Sequence, residues 1–524
     1  VYISGIAPPS TLGVFNNNLE NGYRAFAERY LRCKVGDDYL PALKSSHYEW
    51  AENPLMQEFL EKLNDNLSLA PVLDIHSVVK LYNGAKRKVY ERAEVKYWSD
   101  GVRKMDAVLK GFVKFEKCDI DKAPRCINPR SSVYNLCLAR FLKQNEHKYF
   151  DALAKVFNQK KVVFKGMNNT DTAQCLQEIW DGMEDAIAIG GDAKKFDMHV
   201  NFFALVFEHL CYIRPYCTSF AEAYELYQRI VEDIRPNQDE MPPEYDDREQ
   251  LCWLLSQQLF NYGVAYFVDG KLAYRMSGTR ASGDINTSLG NCILMCAMTY
   301  CWKKTCNVNM NLVNNGDDCD YVMSRASEQK WRDGLNEFFE RKGFRMELEP
   351  TAFELEEIEF CQSHPVHTIE GIKMVRVPRT LISKAAMCLL PINGIRDLEK
   401  WMMAIGVAEG SLGRGVPVIQ SFARAMRRNG RKCSRRLINA AYYQSNRIYH
   451  ADLIVDDLEI TSESRLSFAS AFGIAPDEQR YLERYYDQWQ LDKQFGDNYT
   501  GDEQAQRGAI PVATTPQFLC QPVI

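Results

Sequence analysis

Two adjacent carboxylates sit at a tight turn in this chain, in the run Asn314-Asn315-Gly316-Asp317-Asp318-Cys319. Asn and Gly between two apolar segments signal a β-hairpin, and Met310–Val313 and Tyr321–Met323 supply those segments. The spacing predicts two short antiparallel strands with Asp317 and Asp318 at their junction. Two such charges about 4 Å apart repel by roughly 4 kcal/mol at an effective dielectric near 20. A divalent cation between them turns repulsion into attraction. A solvated acidic turn relieves it with water instead, and nothing local decides between the two.

A third carboxylate stands far upstream. Ala186–Ile189 is a short apolar run that leads through Gly190 and Gly191 to Asp192, which reads as a buried strand ending in an acid. Asp197 follows, where the chain turns toward a helix expected over 201–212; it is either part of the same chemistry or a helix N-cap. Ser282-Gly283-Asp284 forms a loop, and from Ile285 to Trp302 the chain is strongly apolar, a buried helix. Thr287 and Asn291 lie four apart on one face of it. Bonding back to the helix explains a buried Thr; a buried Asn needs another partner, and a ribose hydroxyl is one.

Cations come from two stretches. Between residues 80 and 130 they alternate with aromatics, and Gly111–Lys117 has strand-like alternation that puts Lys114 on the same face as Phe112. Lys114, Lys117, Arg125 and Arg130 suit an anionic chain or a triphosphate. Further on, Arg424, Arg427, Arg428, Arg431, Lys432, Arg435 and Arg436 fall within 13 residues. Seven like charges repel unless an anion is near; RNA is favoured here over a solvated face.

The elements that must carry these groups are those of a large globular chain. It has 524 residues, 46% of them hydrophobic and 25% charged, with a net charge of -5. That length implies several lobes, and the balance excludes a generally basic nucleic-acid binder, so local charge carries the argument. The 17 cysteines include no C-x-x-C pair and read as reduced core thiols. Cys361, His364 and His367 have zinc-like spacing but lack a fourth ligand. No apolar run is long enough to span a bilayer. The start at Val1 rather than Met suits a fragment, a processed product or the downstream part of a longer translation product. Residues 235–249 read as an exposed acidic connection, and the tail from Gly496 as loosely ordered.

Three acids on separate elements, a basic strand and a Thr/Asn helix face are the parts of a templated nucleotidyl transferase working with two Mg²⁺ ions. In their order these parts resemble the RNA-dependent RNA polymerases of positive-strand RNA viruses, most closely the tombusvirus-like replicases. The resemblance runs through Lys114-Phe-Glu-Lys117 with Pro124-Arg125 and Asn128-Pro-Arg130, then Asp192-Ala-Lys-Lys-Phe-Asp197. It continues through Ser282-Gly-Asp-Ile-Asn-Thr287 with Asn291, Gly316-Asp-Asp318 and Phe360-Cys-Gln-Ser363, with a weaker match at Gly13–Arg24.

The resemblance implies a mixed α+β, right-hand fold. Fingers with an N-terminal extension would cover 1–185, with an insertion at 201–281; the palm would cover 186–200 and 282–378; a mainly helical thumb and tail would cover 379–524. It implies Asp192, Asp317 and Asp318 as catalytic ligands of Mg²⁺ (or Mn²⁺). Asp197, Thr287 and Asn291 would read the ribose, Ser282 and Gly283 would lie beside the template, and Lys114, Lys117, Arg125 and Arg130 would line the nucleotide channel. Phe360, Cys361, Gln362 and Ser363 would grip the growing RNA, and Arg427, Arg428 and Arg431 join the expected RNA contacts. Implied partners are single-stranded viral RNA template and nascent RNA, nucleoside triphosphates, a membrane-anchoring viral replication protein and host factors. The implied location is the host cytoplasm, at membrane-bound replication complexes. Asp320 departs from the family, which more often has an apolar residue there, and Lys342 and Arg345 both lie near the place of a proton-donating lysine. A reverse transcriptase and a catalytically dead RNA-binding scaffold are the alternatives.

Overall fold

The structure is a computed structural model that describes residues 1–3, 5–8, 10–233, 239–444, 454–491 and 509–511. The start of the acidic connection, at 234–238, and the tail from Gly496, apart from 509–511, lie outside the described residues. The chain is mixed α+β, and among the described residues no helix is long and apolar enough to cross a membrane.

The centre is a four-stranded antiparallel sheet in the spatial order Met310–Asn314, Asp318–Ser324, Ala186–Ala193, Met346–Ala352. Its middle strand is buried on both faces, which explains the unbroken apolar run Ile187–Ile189. That strand runs through Gly190, Gly191 and Asp192 to Ala193, one residue past the acid at which the sequence reading ends it. Below the sheet packs the Thr287–Cys306 helix, buried nearly all round. It shares one large core with the Pro54–Asp65, Ser132–Leu142 and Phe202–Ile213 helices. Asn201, not Asp197, caps the last of these, accepting from the N–H groups of Phe203 and Ala204.

A second four-stranded sheet has the order Cys126–Ile127, Leu109–Val113, Phe260–Phe267, Gly270–Ser277. Its inner face packs on Phe15, Phe26 and Tyr30 of the N-terminal segment. There a helix capped by Asn18, whose side chain accepts from Asn21 N–H, runs Leu19–Ala25 and continues as a wider turn over Phe26–Tyr30.

Beyond the Ser363–Thr368/Gly371–Arg376 hairpin the described chain is helical from Pro378 to Gln488 and holds its own core around Trp401, Phe422 and Tyr486. The chain's first residues belong to that core. Val1 and Cys388 exchange backbone hydrogen bonds of 2.7 and 2.9 Å, and Ile3 N–H donates to Ala386 at 2.9 Å. The N-terminal segment then crosses to strand Leu12–Phe15, which pairs with Cys118–Asp119 and with Ala509–Pro511. One short segment thus ties the basic strand region to the C-terminal helices.

Candidate active site

The hairpin turn forms as its residues dictate. Gly316 has φ +103°, a conformation open to glycine, and Asn315 N–H donates to Asp318 O at 2.8 Å. Asn314 lies fully buried beneath and braces the turn, its side chain donating to Gly316 O and accepting from Gly316 N–H. Cross-strand register places Asp192 directly opposite Asp318, where antiparallel partners sit about 5 Å apart at Cα. Asp317 closes the group, its carbonyl facing Ala193 N–H at 3.5 Å. The three acids that are far apart in sequence therefore share one end of one sheet.

All three carboxyls are held above the usual carboxylate range. Burial is the chief cause for each. Glu347, opposite Asp192 on the other flanking strand, adds repulsion there, as Asp197 does for Asp317. Asp318 is pushed up to about 7 even though Cys361 N–H donates to its Oδ2 at 2.9 Å. Such a crowd of half-desolvated oxygens is a hard donor set that fits Mg²⁺ or Mn²⁺. Among the described residues no three His, Cys, Asp or Glu side chains already converge on a metal position, so ligation requires their side chains to rotate inward.

These acids form one wall of a cavity of about 1860 Å³. Lys114 and Arg125 line it opposite, braced by ion pairs to Glu116, with 3.0 Å from Lys114 to its carboxylate. Phe360, Cys361, Gln362 and Ser363 also line it. Cys361 and Gln362 both have positive φ, +54° and +59°. That tight turn is what aims Cys361 N–H at Asp318. Asn315 Nδ2 donates to Cys361 Sγ at 2.8 Å, and His364 Nδ1 sits 3.0 Å from Glu356 O, so the zinc-like spacing builds no zinc centre.

Asp197 is not a cap. Its two oxygens accept from Asn291 Nδ2 at 2.9 Å and from the Ser282 hydroxyl. Arg280 Nε donates to Asn291 Oδ1 at 3.0 Å, which fixes the amide so that its NH₂ faces Asp197. Arg280 is in turn paired with Glu208, both fully buried, and Tyr212 and Asn286 donate to Glu208 Oε1 at 2.9 Å each. This clamp was missed by sequence reasoning. Its signal was Glu208 in the otherwise apolar helix Phe202–Ile213, because a buried charge demands a partner. Lys165 was missed too; it lines the cavity and its Nζ lies 3.6 Å from where a Cβ on Gly316 would be. Thr287 donates to Ala281 O at 3.1 Å and so clips the Ser282 loop. Gly283, at φ +138°, lets that loop pass against Pro129.

Several sequence expectations move. Arg130 does not line the cavity: it is buried in an ion pair with Asp284 at 2.7 Å and donates to Ala107 O at 2.6 Å. Lys117 borders the cavity, but its ammonium turns toward the C-terminal helices, donating to Lys384 O at 2.6 Å and lying over the Trp401 ring. The basic block is answered from within the chain. Arg427 meets Asp457 at 3.0 Å, Arg428 donates to Tyr486 O and Trp489 O, and Arg431 lies 3.7 Å from Glu399. Part of the block's charge is thus met by the chain's own carboxylates and carbonyls. Lys342 is fully buried against Glu49 and does not line the cavity. Asp320 is buried with Oδ2 unpartnered, and Arg345 does not line the cavity.

An acidic hairpin paired with an acidic strand thus shares one cavity with a set of cations. The chain belongs to the viral RNA dependent RNA polymerase family, whose model it matches over residues 1–230 and 241–494. Similar proteins include the RNA-directed RNA polymerase of Tobacco necrosis virus (strain A), 34% identical over 93% of this chain and 64% of the relative. That of Oat chlorotic stunt virus (isolate United Kingdom) is 34% identical over 94% of this chain and 64% of the relative. That of Tomato bushy stunt virus (strain Cherry) is 34% identical over 83% and 50%. The chain thus spans between half and two thirds of the length of these relatives.

Proposed function

We propose that this chain is the catalytic part of an RNA-directed RNA polymerase that copies single-stranded viral RNA from nucleoside triphosphates. The observation that carries the reading is the strand register that sets Asp192 against Asp318, with Asp317 beside them, on the wall of a cation-lined cavity. Asp192, Asp317 and Asp318 would hold Mg²⁺ or Mn²⁺; bound there, such ions stabilise the attacking and leaving oxygens of an in-line displacement. Lys114 and Arg125 receive the triphosphate, their positions fixed by Glu116. Asp197 and Asn291, locked by Arg280 and Ser282, present polar atoms to a ribose 2′-hydroxyl. Phe360–Ser363 supports the 3′ end of the growing strand.

In this reading the central sheet (186–200 and 282–378) is the palm, 1–185 and 201–281 are fingers, and the helices from 379 are the thumb. Template and nascent RNA occupy the cavity. A membrane-anchoring viral replication protein and host factors would recruit the chain to membrane-bound complexes in the host cytoplasm. The test is primer extension with ribonucleotides and Mg²⁺ or Mn²⁺. Wild type extends the primer; Asp317→Asn, near-isosteric, leaves an unaltered circular dichroism spectrum and no extension. Substantial extension by the variant removes the carboxylate group from the reaction.

A further inference from the structure

The sheet whose Leu109–Val113 strand leads into Lys114 has an outer face that stays largely exposed among the described residues, with the Phe202 ring 5.4 Å from that of Phe260 at its end. Strand Phe260–Phe267 alternates exposed and buried residues, so Phe260, Tyr262 and Tyr266 point outward and are 65%, 45% and 59% exposed. Phe112 on the neighbouring strand is 40% exposed. Four large rings on the outside of one sheet are an unusual cost for a soluble surface. The cations are interleaved with them. Register pairs Tyr262 with Arg275 and Tyr266 with Lys271, and Lys110 pairs with Val264. The Arg275 guanidinium lies 5.7 Å from the Tyr262 ring centroid. The outward positions of these three strands include no Asp or Glu; Asp269, at the hairpin tip, accepts from Leu19 N–H.

Rings that alternate with cations on an open sheet fit successive bases and phosphates of a single strand. The face also leads somewhere. The alternation Lys110, Phe112 carries on to Lys114, which lines the catalytic cavity beside Arg125. We propose that this outer face is a binding track for single-stranded RNA, with bases stacked on Tyr262, Tyr266 and Phe112 and the backbone held by Lys110, Lys271 and Arg275. The strand it holds is the template on its way to the cavity. The inference extends the polymerase reading, but binding is measured without catalysis, so the two fail separately.

The experiment uses the full chain carrying Asp317→Asn and a fluorescent 20-nucleotide oligouridine as probe. Removing two rings in Tyr262→Ala/Tyr266→Ala weakens binding by about 25-fold or more, since each stacked base is worth roughly a factor of five upward. Tyr262→Phe/Tyr266→Phe, which keeps the rings, binds as the parent does. In parallel, oligomers carrying 4-thiouridine are photo-crosslinked and the adducts mapped by mass spectrometry; adducts fall on residues 260–275. Unchanged binding by the Ala variant with adducts elsewhere overturns the proposal. So does a sedimentation shift in the Ala variant with RNA affinity intact, which assigns the face to a second copy of the chain. In an Asp317 background, extension of a primer whose template overhang is two nucleotides stays within about twofold of the parent, because so short an overhang does not reach the face.

Discussion

Removing the Asn291 amide should make this chain accept deoxyribonucleotides. Asn291 Nδ2 donates to Asp197 Oδ1 at 2.9 Å, and its Oδ1 accepts from Arg280 Nε at 3.0 Å. The amide is therefore held in one orientation by a charged group on each side, and any sugar hydroxyl entering between Asp197 and Asn291 meets a preset acceptor and donor. Hydrogen bonds to charged groups are worth about 1.5–3 kcal/mol. Asn291→Ala deletes one partner and frees the other to swing, so the preference for a ribonucleotide over its deoxy analogue falls by about 10- to 150-fold at 1.4 kcal/mol per decade. The change also strands Arg280 Nε and costs stability, on the order of 1–3 kcal/mol, so a urea melt accompanies the kinetics. The assay is single-nucleotide incorporation on a primed template, comparing kcat/KM for GTP and dGTP. A folded Asn291→Ala protein with an unchanged GTP/dGTP ratio refutes the sugar-sensing role. A ratio that is low already in the wild type favours a reverse transcriptase.

Arg428→Ala should cost the C-terminal helices about 1–3 kcal/mol in urea unfolding, because it removes the side-chain donor of the Tyr486 carbonyl and leaves the Trp489 carbonyl with Asn429 Nδ2 at 3.3 Å, while RNA affinity measured by filter binding changes less than about twofold; a loss of affinity without a loss of stability favours the RNA-contact reading. Burial holds the Lys117 ammonium at about 8, below the ordinary 10.5. The unfolded chain then binds that proton more tightly, so stability rises with pH between these values, and Lys117→Met should abolish that rise in thermal melts at about pH 8 to 10. Asp318 lies the other way: its carboxyl, raised to about 7 from 3.8, gives the metal-free protein stability that is full below about pH 4 and lost as pH passes 7. Mg²⁺ or Mn²⁺ competes with that proton, so the melting-temperature gain on adding metal should grow from about pH 6 to 8, and Asp318→Asn should flatten it.

What the sequence revealed and what it hid separate along chain distance. The Asp317-Asp318 hairpin, the strand into Asp192 and the buried helix from Thr287 were legible because turn residues, apolar runs and helical spacing are local signals. The partners of the cations were not. Arg130 finds Asp284 after 154 positions, and Arg428 reaches the Tyr486 and Trp489 carbonyls after 58 and 61. A charge run looks the same in sequence whether its anion is a phosphate or an aspartate brought back by folding. Arg280 and Glu208 escaped for the same reason, at 72 positions apart.

The two glycines before Asp192 show how closely placement and chemistry are bound. Sequence reads Gly190-Gly191 as the link from an apolar run to Asp192 at the strand's end; the structure makes them a condition of the strand's position between two others. A Cβ on Gly190 would stand 2.3 Å from the Glu349 carboxylate, and one on Gly191 would press on Tyr321 at 3.0 Å and on the Cys319 and Met346 sulfurs at 3.2 Å. A side chain at Gly190 must displace the Glu349 carboxylate, and one at Gly191 presses on both neighbouring strands, Asp318–Ser324 and Met346–Ala352. The pairing of Asp192 with Asp318 is the first contact to open, since it lies at the end of the ladder. Bulk at Gly191 therefore bears directly on the strand pairing that brings the carboxylates together.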